Sequence, residues 1–102
     1  MVRPYEVLYI VDPDLSEEDT TSIMEKYKSV VEEQGGEVEN ANRWDKRRLA
    51  YEIKGRVEGI YVLMNFKGEN KVQTELARLM RIADDVIHHI IIRRDEDQAR
   101  AV

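Results

Sequence analysis

The order in which hydrophobic periodicity changes along the chain is its strongest constraint. Apolar positions repeat every second residue, then near every 3.6, then twice more every second residue across a loop, and then once more in each period. The run Tyr-Glu-Val-Leu-Tyr-Ile-Val at Tyr5–Val11 is rich in β-branched and aromatic residues, and it stops at Asp12-Pro13-Asp14, where proline and aspartate favour a turn. Ser16, with Asp19 three residues on, offers a helix N-cap. Ile23, Tyr27, Val30 and Val31 then recur on one helical face until Gly35-Gly36. A second strand starts near Glu37 and runs, bent, through Leu49-Ala50-Tyr51-Glu52-Ile53. Lys54 to Gly59 reads as a glycine-flanked hairpin loop, and Ile60–Phe66 is the strongest strand signal in the chain. Asn70 with Gln73 is expected to cap a second helix carrying Val72, Leu76, Leu79 and Met80, and Val86–Arg93 forms the last strand. The polar segment 95–102 is expected to be a mobile tail.

Strand, helix, strand, strand, helix, strand is a pair of split βαβ halves. It predicts an α+β ferredoxin-like sandwich, order βαββαβ, in which a four-stranded antiparallel sheet carries both helices on one face. With 102 residues, 42 % of them hydrophobic, the chain fills one core, and residues 1–94 are expected to form one domain. Glu6 and Asn65 are poorly suited to the helix-covered side. Leu8, Ile10, Tyr61 and Leu63 share their side by strand alternation, and Ile90 and Ile92 of the last strand join them. Large apolar residues with no helix above them mark a face for a protein partner.

The net charge of −5 argues against nucleic acid until it is divided by segment. From Asp12 to Glu39 there are ten acidic residues against Lys26 and Lys28; from Arg43 to Arg56 there are six basic residues against Asp45 and Glu52. This division predicts an oriented contact, with the acidic first helix turned to solvent and Arg43, Lys46, Arg47, Arg48, Lys54 and Arg56 facing phosphates. Arg47 and Arg48, if both lie in the strand, point to opposite faces. Trp44 fits packing better than stacking on a base. The topology is shared with RNA-recognition motifs, but the third strand has Glu58, Ile60 and Val62 where such a motif places its basic residue and stacking aromatics, so base stacking on the sheet is not expected.

Several chemistries are excluded. There is no cysteine for a disulfide, a thiolate metal site or a thiol nucleophile. His88-His89, adjacent in a strand, point apart and lack a third ligand at metal-site spacing, so no metal is expected. No nucleotide-binding glycine loop, serine elbow or singled-out carboxylate pair is present, which leaves an enzyme reading without residues and implies no cofactor and no small-molecule substrate. The apolar runs are far shorter than the roughly 20 residues of a membrane span, and the start lacks the apolar stretch of a signal peptide, so a cytoplasmic protein is expected.

Four segments resemble one family in order and over nearly the whole chain. They are Arg3-Pro4-Tyr5-Glu6-Val7, Lys46-Arg47-Arg48-Leu49-Ala50-Tyr51-Glu52-Ile53, Tyr61-Val62-Leu63-Met64-Asn65-Phe66, and Arg81-Ile82-Ala83-Asp84-Asp85-Val86 continuing through His88-His89 to Arg93. These segments resemble bacterial small-subunit ribosomal protein six, the Arg-Arg-Leu-Ala-Tyr block being the most specific. The resemblance implies the ferredoxin-like fold and a structural role in the small ribosomal subunit. It also implies pairing with ribosomal protein eighteen and binding to the central domain of 16S rRNA. It extends the RNA-contacting set to Arg3, Arg81, His88 and Arg93. Two positions depart from the family: His88 stands where a basic residue is usual, and Glu52 where proline is. The competing reading is a ferredoxin-like regulatory module that binds a small metabolite as a homodimer joined through its sheets; a small phosphatase or cofactor-free oxygenase comes third.

Overall fold

The computed structural model describes residues 1–94. Its elements run β1 (Arg3–Val11), α1 (Glu17–Glu33), β2 (Glu37–Ile53), β3 (Arg56–Gly68), α2 (Asn70–Ile82) and β4 (Val86–Arg93), the expected βαββαβ order. The four strands form one antiparallel sheet ordered β2-β3-β1-β4. The polar segment 95–102 lies outside the described residues.

Alternation along β1 sends Tyr5, Val7, Tyr9 and Val11 to the helix-covered side, where they meet Val62, Met64 and Phe66 of β3. Helix α1 contributes Thr20, Ile23, Tyr27 and Val31, and α2 contributes Val72, Leu76 and Met80. Spacings of three and four residues put each set on one stripe. Each fully buried leucine or methionine here stabilises the fold by about 1.5–3 kcal/mol relative to exposure. Two aromatic pairs stiffen this core: within the sheet Tyr5 of β1 stacks on Phe66 of β3 with centroids 5.4 Å apart, and Tyr9 meets Tyr27 of α1 edge-on at 5.4 Å, tying sheet to helix.

The turns follow from local chemistry. Asp12 Oδ1 accepts from Asp14 N–H at 2.9 Å, closing an Asx turn after β1. Ser16 Oγ accepts from Asp19 N–H at 3.1 Å, the expected N-cap, and Glu17, Glu18 and Asp19 complement the positive end of the helix dipole. At the far end Gly35 has φ +89°, and Gly36 N–H donates back to Val31 at 2.8 Å.

Two expectations need correction. The β2–β3 hairpin loop is only Lys54-Gly55, both with positive φ (51° and 78°), while Ile53 pairs with Arg56. This is the geometry of a primed two-residue turn, whose twist matches the strands, so β3 begins at Arg56 instead of Ile60. Gly59 lies within β3, paired with Arg47, and it is glycine for a packing reason: a Cβ there would clash with Ile10 Cγ2. Asn70 is the first helical residue and not the cap. Glu69 occupies the cap without a side-chain bond, and Asn70 Oδ1 instead accepts from Gln73 Nε2 at 2.8 Å.

Candidate nucleic-acid and partner surfaces

Among the described residues no helix covers the opposite side of the sheet. Register places its residues in rows across the strands: Asn42, Leu63, Leu8 and Ile90 in one, and Asn40, Asn65, Glu6 and Ile92 in the next. Glu6 and Asn65 do lie on this side, together with Leu8 and Leu63. Ile90 and Ile92 on the edge strand are 47 % and 46 % exposed. The second row is polar, with Asn65 Nδ2 donating to Asn40 Oδ1 at 2.9 Å and Arg94 donating to Asn65 Oδ1 at 3.3 Å. An apolar row beside a polar one has the make-up of a protein-docking surface.

Ile10 does not belong to the uncovered part. The long β2–β3 hairpin curls over this end of the sheet, and Leu49 and Ile53 pack on Ile10, Ile87 and Tyr61. Ile10 is left 5 % exposed. Register shifts in β2 between Arg43 and Lys46 and between Arg48 and Ile53 supply the bend, since extra residues on one strand increase its local twist. In the first of these irregular stretches Trp44 lies nearly parallel to Tyr61, at 6.2 Å and 14°, and the Arg47 guanidinium stands 5.4 Å from the Trp44 ring centre.

The ten basic candidates fall into separate groups. Arg43 is held by Glu17 at 3.1 Å. Arg56 is gripped twice, by Asp12 at 2.8 Å and by Asp14 at 2.9 Å. The acidic and basic segments are therefore not spatially segregated as the sequence suggests, because the β1–α1 turn brings three carboxylates onto two of the arginines. Arg47 and Arg48 sit opposite Gly59 and Glu58 and so face opposite sides, as alternation requires; Lys46, opposite Ile60, faces the same side as Arg48. Lys54 comes across the sheet with the curled hairpin and joins Arg81 and His88 around a recess of about 280 Å3. Arg3 and Arg93 line a different cleft of about 450 Å3 with Met1, Tyr5, Glu69, Asn70 and Lys71.

Sequence reasoning missed His89. Alternation sends neighbouring histidines apart, yet β4 is an edge strand and the recess wraps that edge, so both imidazoles line it. Burial, then the neighbouring His88, Arg81 and Lys54, hold the His89 imidazole below the ordinary histidine range. Among the described residues, no group of three or more histidines, aspartates or glutamates could hold a metal, and no helix is long and apolar enough to cross a membrane.

The family model of ribosomal protein S6 matches residues 4–93. The chain belongs to the ribosomal protein S6 family. Its curated relatives include the small ribosomal subunit protein bS6 of Carboxydothermus hydrogenoformans, 54 % identical over 96 residues that cover 94 % of this chain and all of the relative. The bS6 protein of Desulforamulus reducens is 56 % identical over 95 residues, 93 % of this chain and again all of the relative. The crystal structure of the 30S ribosomal protein S6 of Thermotoga maritima superposes with a TM-score of 0.89 at 28 % identity, covering 99 % of this chain and 95 % of that one. A bacterial light-regulated adenylyl cyclase shares the fold alone, with a TM-score of 0.51 at 14 % identity over 89 % of this chain and 22 % of its own. Membership in the S6 family makes this chain a structural protein of the cytoplasmic ribosome and not an enzyme.

Proposed function

We propose that the protein binds the central domain of 16S rRNA jointly with ribosomal protein eighteen, with the two contacts side by side on the helix-free face of the sheet. The observation that carries this reading is the curl of the β2–β3 hairpin. It sets Lys54 at one end of that face beside Arg81 and His88, with Arg47 on the same face over Trp44, and leaves the apolar row of Leu8, Leu63 and Ile90, with Ile92 beside it, open. The cations position a structured RNA through phosphate and sugar, without reading sequence. The apolar row buries against protein, and its polar neighbours form the rim. Tyr61 and Trp44 lie between the two regions, Tyr61 also packing against the hairpin cluster.

Ionic pairing divides the ten candidate cations by role. Arg43 and Arg56 hold the hairpin to the β1–α1 turn and the start of α1, whereas Arg47, Lys54 and Arg81 with His88 are the RNA-facing set. Lys46 and Arg48 face the other side, and Arg3 and Arg93 form a second basic site at the far end of β1 and β4. The test is incorporation into small-subunit particles reconstituted with and without ribosomal protein eighteen. Leu8→Glu is expected to abolish pairing with that protein, and Arg47→Glu with Lys54→Glu to abolish RNA retention while pairing persists. Full incorporation of the double charge reversal would refute the assignment of the basic set. A stable homodimer in solution without RNA affinity would favour the metabolite-binding alternative.

A further inference from the structure

We propose that Lys54, Arg81 and His89 form a recess that takes a single phosphate group, with His89 protonated when the phosphate is bound. Three elements distant in sequence build it. The Lys54-Gly55 turn arrives over the sheet, the end of α2 supplies Arg81, and the start of β4 supplies both histidines, while Met80, Val86 and Ile87 make the apolar walls. Among the described residues no carboxylate lines the recess. The larger cleft at the other end has Glu69 in its wall, an internal competitor for its cations. At about 280 Å3 the recess is smaller than the roughly 300–1,000 Å3 of small-molecule sites.

The surroundings of His89 show that the positive charge converges. Its cross-strand partner is Tyr9, a buried neutral phenol, so β1 offers it no acid. Partial burial, and then the neighbouring His88, Arg81 and Lys54, disfavour its protonation. An anion seated among them reverses that balance. The imidazole then takes a proton from solvent and donates a charge-assisted hydrogen bond to a phosphate oxygen. Affinity of this recess for a phosphate diester, whose own charge does not change in this range, therefore rises as pH falls, a dependence that lysine and arginine alone would not give.

The recess rests on the RNA reading, since it shares Lys54 and Arg81 with the RNA-facing set, but probes that contain no RNA keep its failure distinct from a failure of RNA binding. The His89 imidazole is titrated by NMR in chloride, in inorganic phosphate and in dimethyl phosphate at equal ionic strength. Its titration midpoint is expected to rise by about one pH unit with bound phosphate. A response to dimethyl phosphate assigns the recess to a nucleic-acid backbone diester, and a response to inorganic phosphate alone assigns it to the free anion. The combined Lys54→Gln and Arg81→Gln variant, altered only at exposed positions, is expected to lose the response. An unchanged midpoint in both phosphates, or a full response in that variant, overturns the proposal.

Discussion

Replacing Arg47 and Arg56 by glutamine, one at a time, separates a cation available to phosphate from one already engaged by carboxylates. Arg56 would have to break bonds of 2.8 and 2.9 Å to Asp12 and Asp14 before it could contact RNA. Arg47 stands 5.4 Å from the centre of the Trp44 ring and makes no ion pair among the described residues. Each phosphate contact adds about 0.7–0.9 to the slope of log affinity against log salt. Over a roughly fourfold rise in salt, one lost contact therefore makes the fall in affinity about threefold smaller, and loss of both Arg47 and Lys54 about ninefold smaller. Arg56→Gln is expected to leave that slope unchanged but to lower unfolding stability by about 1–3 kcal/mol, since it strips a charge-assisted bond from the Asp12 carboxylate, which is only 17 % exposed. The assay is a salt series of binding titrations on a 16S central-domain fragment with the partner protein saturating, paired with urea denaturation of each variant. If Arg56→Gln flattened the slope as much as Arg47→Gln, the division of the basic residues by ion pairing would be wrong.

Gly59→Ala is expected to cost about 1–3 kcal/mol in chemical denaturation, because the new methyl meets the Ile10 side chain in a filled space; combining it with Ile10→Val should recover part of that loss. Tyr27 buries a hydroxyl with no hydrogen-bond partner among the described residues, and burial, then Asp85, pushes its pKa up to about 12. Tyr27→Phe is accordingly expected to be neutral or to raise the thermal midpoint, and a clear drop would reveal a partner for the hydroxyl. His89 binds its proton less readily folded than unfolded, so acidification through the ordinary value of 6.5 favours the unfolded chain. Stability from this group is present above pH 6.5 and lost below it, and His89→Gln should flatten the dependence of unfolding free energy on pH between about 5 and 7.

Periodicity carried most of the architecture because burial in this fold is one-sided. Val7, Tyr9 and Val11 alternate with Leu8 and Ile10, and Leu76 and Met80 recur at helical spacing, so the faces could be read without coordinates. What escaped was set by contacts between segments. The glycine at position 59 reads as loop in a linear view, yet it pairs with Arg47 inside β3, and it is glycine because Ile10 occupies the space beside it. The acidic and basic runs read as separate surfaces, yet Asp12, Asp14 and Glu17 reach Arg56 and Arg43 over separations of 44, 42 and 26 residues. Nor could spacing find the recess, since its members come from a turn, a helix end and an edge strand that only the curled hairpin brings together. A β-bulge leaves no mark in hydrophobic alternation beyond a blurred stretch, and β2 has such a stretch from Asn40 to Arg48.

The small cluster of Ile10, Leu49 and Ile87 stands apart from the main core and is held by far less apolar contact. It therefore defines a separate unit of cooperativity, one that opens at a lower free energy than the sheet beneath it. Amide hydrogens of Leu49 and Ile53 would exchange through lifting of the hairpin alone, while those of Val62 and Met64 would wait for global unfolding. Lifting the hairpin carries Lys54 away from Arg81 and His89, so the fraction of molecules with the hairpin seated sets a ceiling on apparent affinity. A ligand that bridges Lys54 and Arg81 would in turn slow exchange at Leu49, forty-nine residues into the chain and outside the recess itself.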